Sequence, residues 1–387
     1  ENEVRMLEAG GDEYAFQFIR KKISDIEITP AQLALDPCSA SAVITDVHTG
    51  EVRALVTYPS YDNNKFSGTV DAEYYNKLNN DQPLPLFDNA TQAQKAPGST
   101  FKPIIAVAAL EEGVIGLNDT VNCTGIYKEI SPALRCWIYP GQHGPLDVVH
   151  GIQNSCNVFF SEMGHRLSMD ENGNYSPELG IEKIRKYASL FGLDETSGIE
   201  IAEREPQMTT EKPEASSIGQ GKNSYSNVQL SRYITAVANK GTVFKLSLLD
   251  KMTDSQGNLL EDFTPEVRSV IDVKDSTWNA VHTGMRRVIS DGSARKIFSD
   301  LEVDIAGKTG TAEEIKNGHR INHAFFVSFA PYQNPEIAVT VNIPYGYSSS
   351  NAATAAKNIY RFYYGYTDLN YILNNSALNS SNVEIGD

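Results

Sequence analysis

Residues 96–110 read APGSTFKPIIAVAAL, a Pro-Gly turn that runs into an apolar helical stretch. Ser99 and Lys102 stand there at i and i+3, so a helix places Ser99 Oγ and Lys102 Nζ on one face. Pro103 suits a first helical turn, where its missing N–H costs nothing, and helps to set Ser99 at the helix start. The free N–H groups and the dipole at that end favour a developing negative charge. A serine hydroxyl is a weak nucleophile until a base takes its proton, and a desolvated lysine can be that base. The pattern alone decides little. Ser-x-x-Lys recurs at Ser293 to Lys296, where Gly292 precedes it and no long helix follows. An exposed helix face carries such pairs routinely.

Two further motifs lie downstream. Ser155-Cys156-Asn157 sits between LDVVHGIQN and the apolar run VFFSEMGHRL; its hydroxyl and amide, two residues apart, can face one cavity while the residue between them faces away. Ser-x-Asn also occurs at Ser349 and Ser380, and a helix-capping serine explains it equally well. Lys308-Thr309-Gly310-Thr311 occurs once, in a stretch that reads as a strand. Glycine weakens a strand interior and marks close approach by a backbone or a ligand. On an edge strand, a Lys and two hydroxyls beside that Gly can hold a peptide carboxylate while the edge pairs with the peptide main chain. An ordinary edge guarded by Lys looks the same.

In combination the motifs say more. The order Ser-x-x-Lys, Ser-x-Asn, Lys-Thr-Gly, with the two serines 56 positions apart and Lys308 153 positions after Ser155, resembles the penicillin-binding proteins. These are serine D,D-transpeptidases that share their motifs with serine β-lactamases. The phrases YPSYDNNKF (58–66), GQGKNSYSNVQLSRYITAVANKG (219–241) and AFFVSFAPYQNPEIAVTV (324–341) look like the same family. The resemblance covers roughly residues 38–366 and looks most like the class B, monofunctional branch.

That resemblance implies an α+β transpeptidase fold, an antiparallel sheet with helices on both faces plus an all-helical subdomain. It implies that Ser99 attacks the penultimate D-Ala of a stem peptide with Lys102 as general base, while Ser155 and Asn157 relay the proton and orient Lys102. Lys308, Thr309 and Thr311 would hold the substrate carboxylate or tune the charge, with Gly310 allowing close approach. The N–H groups of Ser99 and Thr311 would form the oxyanion hole. No cofactor is required for that chemistry. The implied partners are stem peptides, β-lactams acylating Ser99, and membrane-bound cell-wall synthesis proteins reached through an N-terminal region. The implied location is the extracytoplasmic face of the bacterial membrane. Two other readings use the same fold, a class D-like β-lactamase or β-lactam sensor and a catalytically silent scaffold.

Three cysteines cluster around the second motif, as Cys123-x12-Cys136-x6-His143-x12-Cys156. If Ser155 and Asn157 face the cavity, Cys156 faces away, toward whatever the 123–143 loop packs there. Cys3His is a closed tetrahedral set for Zn2+, which would clamp a Gly- and Pro-rich loop and take no part in catalysis. A Cys123 to Cys136 disulfide and three buried thiols satisfy the spacing too, because spacing does not settle connectivity. Cys38, outside the pattern, reads as a buried thiol.

The rest of the 387 residues frames these motifs. Lys plus Arg number 33 against 49 Asp plus Glu, a net charge of −16 without basic runs, which excludes a nucleic-acid binder. No apolar stretch approaches the roughly 20 residues that span a bilayer. The chain begins at Glu1, which suggests a processed piece, with residues 1–37 the remnant of an N-terminal pedestal carrying a helix-like segment DEYAFQFIRKKI. SAVITDV and EVRALVTY read as a hairpin turning at Gly50, and residues 59–98 as a long surface loop. Helices are predicted at 99–112, 147–168, 180–191, 226–239, 275–290 and 350–364. Strands fit VDIAGKTGT, HAFFVSFAPY and PEIAVTVNIP, and the first and last strands are expected to pair. The transpeptidase domain is expected over 38–366, and the Asn- and Ser-rich tail 367–387 is expected to be disordered or extended.

Overall fold

The alternating runs on either side of Gly50 form neighbouring strands, β1 (Ala40–Asp46) and β2 (Val52–Tyr58). Gly50 turns with φ at 74°, a conformation that a side chain would strain. The structure, a computed structural model, describes residues 2–24, 39–81, 84–316 and 319–375. The late runs are β3 (Ala306–Lys316), β4 (His319–Ala330) and β5 (Ile337–Ile343), and the sheet order is β3-β4-β5-β1-β2. β1 pairs antiparallel with β5, Ser41 opposite Asn342 and Asp46 opposite Ile337, so the first and last strands meet as expected. β3, with the Lys-Thr-Gly motif, lies at the edge.

Seven helices surround the sheet and the motifs: α1 (Lys102–Glu111), α2 (Val148–Gln153), α3 (Asn157–Leu167), α4 (Pro177–Leu190), α5 (Asn227–Ala238), α6 (Asp275–Ser290) and α7 (Ser349–Tyr363). On one face Thr45 of β1 bonds Thr235 of α5 at 2.6 Å; on the other, Ser328 of β4 bonds Tyr360 of α7 at 2.9 Å. Thr45 and Phe329 both pair with Ala338, and Ser328 is the residue beside Phe329, so these two helices cover opposite faces. Helices α1, α3 and α4 pack on one another as a helical layer away from the sheet. The fold class is the expected one.

Three expectations change. The helix expected over 147–168 is two helices, α2 and α3, broken at Ser155, whose φ of 49° no α-helix accommodates. The expected loop 59–98 contains a helix, Ala72–Asn79, whose start is capped by the Asp71 carboxylate accepting the Tyr74 N–H. Its last third is partly buried, with Ala90 and Thr91 fully so. In the tail, Leu369–Asn375 is helical, and the Asp368 carboxylate accepts the Tyr371 N–H at 2.7 Å. Cys38 and residues 376–387 lie outside the described residues.

Two compact units emerge, one from residues 1–39 with 58–87 and one from 40–57 with 88–387. The first contains helices Asn2–Ala9 and Gly11–Ser24, the latter over the helix-like segment. The second contains the sheet, α1 to α7 and every motif above.

Candidate active site

Ser99 sits in a 3-10 turn, Gly98–Phe101, that runs directly into α1 at Lys102. Ser99 is 6% exposed and Lys102 is fully buried. The turn is fixed from three sides. Gly98 N–H donates to the Gly219 carbonyl at 3.0 Å, Thr100 Oγ1 donates to the Pro97 carbonyl at 2.7 Å, and Tyr233 Oη donates to the Thr100 carbonyl at 3.1 Å. Tyr233, on α5, and Gly219 have no motif of their own. The phrase 219–241 contains both, but only three-dimensional contact assigns them a place.

Lys102 Nζ donates to the Ser155 carbonyl at 2.7 Å, to Asn157 Oδ1 at 2.8 Å and to Ser155 Oγ at 3.2 Å. Lys308 Nζ donates to the same Ser155 Oγ at 2.8 Å and to the Thr309 carbonyl at 3.0 Å. One hydroxyl therefore lies between two lysines contributed by motifs 206 positions apart. The left-handed backbone at Ser155 makes this possible, since it turns the hydroxyl, carbonyl and following Asn157 toward Lys102. Asn157 is locked in turn by its amide donating to the Arg135 carbonyl at 3.3 Å.

Gly310 faces the Ser99 turn. A Cβ there would lie 2.7 Å from Thr100 Cγ2 and 3.0 Å from the Pro97 carbonyl oxygen, so the close approach read from the sequence is made by the turn itself. At Gly98, with φ at 53°, a Cβ would lie 2.7 Å from the Thr311 carbonyl oxygen. The turn and the edge strand thus meet backbone to backbone, which brings the Ser99 and Thr311 region together. Thr309, 2% exposed, has its Oγ1 3.3 Å from Ser293 Oγ. Ser293 belongs to the second Ser-x-x-Lys, whose pattern reads as an ordinary helix face; the structure brings its hydroxyl to the third motif.

Behind Ser155 the chain builds a different cluster. Cys123 Sγ lies 3.5 Å and Cys136 Sγ 3.6 Å from His143 Nδ1, and Cys136 Sγ lies 3.9 Å from Cys156 Sγ. The four ligand atoms all lie within 4.8 Å of one another. A tetrahedral Zn2+ with ordinary bond lengths needs edges of about 3.8 Å between sulfurs and about 3.5 Å from sulfur to nitrogen, so the set fits the ion. The three cysteines are free thiols, so no Cys123 to Cys136 disulfide forms. Cys156 S–H donation, joined by His143, holds the Cys123 and Cys136 thiols well below their ordinary range. The same contacts push Cys156 up. For His143, burial opposes the charge, but the two sulfurs outweigh it and the pKa rises.

A family model described as "Penicillin binding protein transpeptidase domain" matches residues 40–361. The peptidoglycan D,D-transpeptidase MrdA of Haemophilus influenzae is 31% identical, the match covering 85% of this chain and 53% of that protein. Stage V sporulation protein D of Bacillus subtilis is 27% identical, covering 83% and 47%. The chain spans about half the length of the curated relatives it matches. The solved structure of Pseudomonas aeruginosa PBP2 in complex with WCK 5153 superposes with a TM-score of 0.73 at 28% identity, covering 88% of this chain and 76% of that one.

Proposed function

We propose, because the chain belongs to the penicillin-binding protein transpeptidase family, that it cross-links peptidoglycan stem peptides through an acyl-enzyme on Ser99. The observation that carries the reading is the Lys102–Ser155–Lys308 chain of hydrogen bonds. Burial disfavours an ammonium, so Lys102 is suited to accept the Ser99 proton. Ser99 Oγ then attacks the penultimate D-Ala carbonyl. The C–N bond breaks, and the departing D-Ala amine takes its proton from Lys102 by way of Ser155. An amine of a second stem peptide attacks the ester, forms the new amide and returns the proton to Ser99 through the same groups. The Ser99 and Thr311 N–H groups would receive the oxyanion, a role worth about 3 kcal/mol per donor in acyl transfer. Thr309 and Thr311, with Ser293 behind Thr309, would receive the substrate carboxylate.

A structural Zn2+ on Cys123, Cys136, His143 and Cys156 belongs to the same reading. When bound it supplies a tetrahedral crosslink, and these residues hold the Arg135 carbonyl against Asn157. No helix among the described residues is long and apolar enough to cross a membrane. We place the intact protein at the outer face of the bacterial membrane, with other cell-wall synthesis proteins as partners, by analogy with its relatives. The chain resembles a chain of a solved peptidoglycan synthase complex, with a TM-score of 0.75 at 26% identity.

A fluorescent penicillin tests the function. Stable labelling confined to Ser99 is expected. Absence of label overturns the enzyme reading, and rapid turnover of the label supports the class D-like β-lactamase instead. Elemental analysis is expected to give one zinc per chain; a folded, acylating protein that carries no zinc as purified and takes none up when zinc is supplied removes the zinc assignment.

A further inference from the structure

We propose that Glu314 is a positioning residue for acyl transfer, tying the edge strand β3 to the segment that leads into Ser99. Glu314 lies three residues beyond Thr311, and Lys95 lies four residues before Ser99. One carboxylate oxygen, Glu314 Oε2, accepts from Lys95 Nζ at 2.7 Å and from His323 Nε2 at 2.9 Å. His323 is 1% exposed, and its Nδ1 accepts the Tyr345 N–H at 3.2 Å. With Nδ1 an acceptor, the ring proton is on Nε2 and is aimed at Glu314.

Both ends of this tie are anchored. The Lys95 main chain pairs in both directions with Tyr225, at 3.2 and 3.0 Å, and the Tyr225 ring stacks on Phe101 of the nucleophile turn. His323 is paired in register with Ala312, inside the β3–β4 ladder.

The need for a tie follows from how the turn and strand separate. At Gly98 and Gly310 they touch through backbone and hold each other by packing. Past Ala312 they part around a polar cavity of about 340 Å³ lined by Lys95, Lys222, Glu313, Glu314 and His323. There the Lys95–Glu314–His323 junction spans the gap. Without it the part of β3 beyond Ala312 is set by its ladder with β4 and no longer by the Ser99 segment, and a shift of that part moves the Thr311 N–H relative to the Ser99 N–H. Small displacements of donors in a preorganised site are costly to rate. Exposed ion pairs contribute little to stability, and Glu314 is 40% exposed, so the effect belongs to rate and not to folding.

The inference rests on the transpeptidase reading, and its test keeps the two apart. Acylation of the full chain by a chromogenic cephalosporin is followed by stopped flow, separating the dissociation constant of the first complex from the acylation rate constant. Glu314→Ala is expected to lower the acylation rate constant ~10-fold with the dissociation constant within about twofold. Lys95→Met should do the same, and the double variant should be no slower than either. Glu314→Gln keeps an acceptor oxygen for both donors and is expected to recover to within about threefold of the parent. Acylation of Glu314→Ala at the parent rate overturns the proposal, as does a loss confined to the dissociation constant, which would make Glu314 a ligand contact. Should Glu314→Ala fail to fold, Lys95→Met carries the same two outcomes. A parent protein that does not acylate sinks the transpeptidase reading itself.

Discussion

Ser155 and Cys156 are adjacent in the chain and belong to two clusters of opposite character. Ser155 Oγ lies between Lys102 Nζ and Lys308 Nζ, while Cys156 Sγ, fully buried, lies against Cys136. The first cluster gathers residues from three separate motifs across more than half the chain. The second is local, its members confined to residues 123–156. A long-range cluster must be held by the whole fold, whereas a local one can be held by a single crosslink. The break between α2 and α3 is where the two jobs meet: the left-handed Ser155 turns toward the lysines, and Cys156 caps α3, its Sγ accepting the Phe159 N–H at 3.4 Å.

The largest effects separate chemistry from scaffolding. Ser99→Ala is expected to abolish penicillin acylation, a loss of at least ~10⁴-fold, with zinc content unchanged. Ser155→Ala, which removes the hydroxyl shared by the lysines, should cost about 10²–10⁴ in acylation rate, also with zinc retained. Loss of metal in either variant would mean that the clusters are not separable, and the comparison would fail.

A smaller effect runs the other way. Cys156→Ala removes a ligand and the α3 cap without touching a lysine. Zinc should be lost and acylation should fall about 10–100-fold, because the Arg135 carbonyl no longer braces Asn157. Removal of zinc from the parent protein by a chelator should lower acylation by a similar factor and restore it on readdition. An unchanged acylation rate in both experiments would confine the thiol cluster to stability alone.

How much of this was legible differs between the clusters for a physical reason. Ser99, Lys102, Ser155, Asn157 and Lys308 are legible from motif order; side-chain hydrogen bonds join Lys102, Ser155, Asn157 and Lys308, while Ser99 stands in the turn that runs into Lys102. The thiol cluster was legible as spacing only. Its alternatives differ in a few ångströms of sulfur separation, which spacing does not encode. The sheet was readable because alternating apolar runs have one stable use, as a strand covered on its apolar faces. What periodicity missed depended on single backbone torsions or distant contacts. The break at Ser155 is one left-handed residue inside an apolar helical pattern. Ser293 lies in a Ser-x-x-Lys that no long helix follows, and its partner Thr309 is 16 positions away. Glu314 and Lys95 are 219 positions apart, and nothing local marks either.

The finest distinction concerns protons. Ordinary thiols carry their protons at pH 7.5, so three of them release about three on binding Zn2+. Here the shared contacts with Cys156 and His143 hold Cys123 and Cys136 below their ordinary range, so both give up proton occupancy before metal arrives. Cys156, pushed up by those same neighbours, keeps its proton until the metal displaces it. His143, raised by the two sulfurs, contributes a further fraction. Calorimetric titration of zinc into the metal-free protein, in buffers of different ionisation enthalpy, should therefore report fewer than three protons released at pH 7.5. As the pH falls and the thiolates protonate, the number released rises and affinity falls. Three protons at pH 7.5 would show that the thiols are not coupled before the metal binds, and the cluster would then be assembled by the ion and not by the fold.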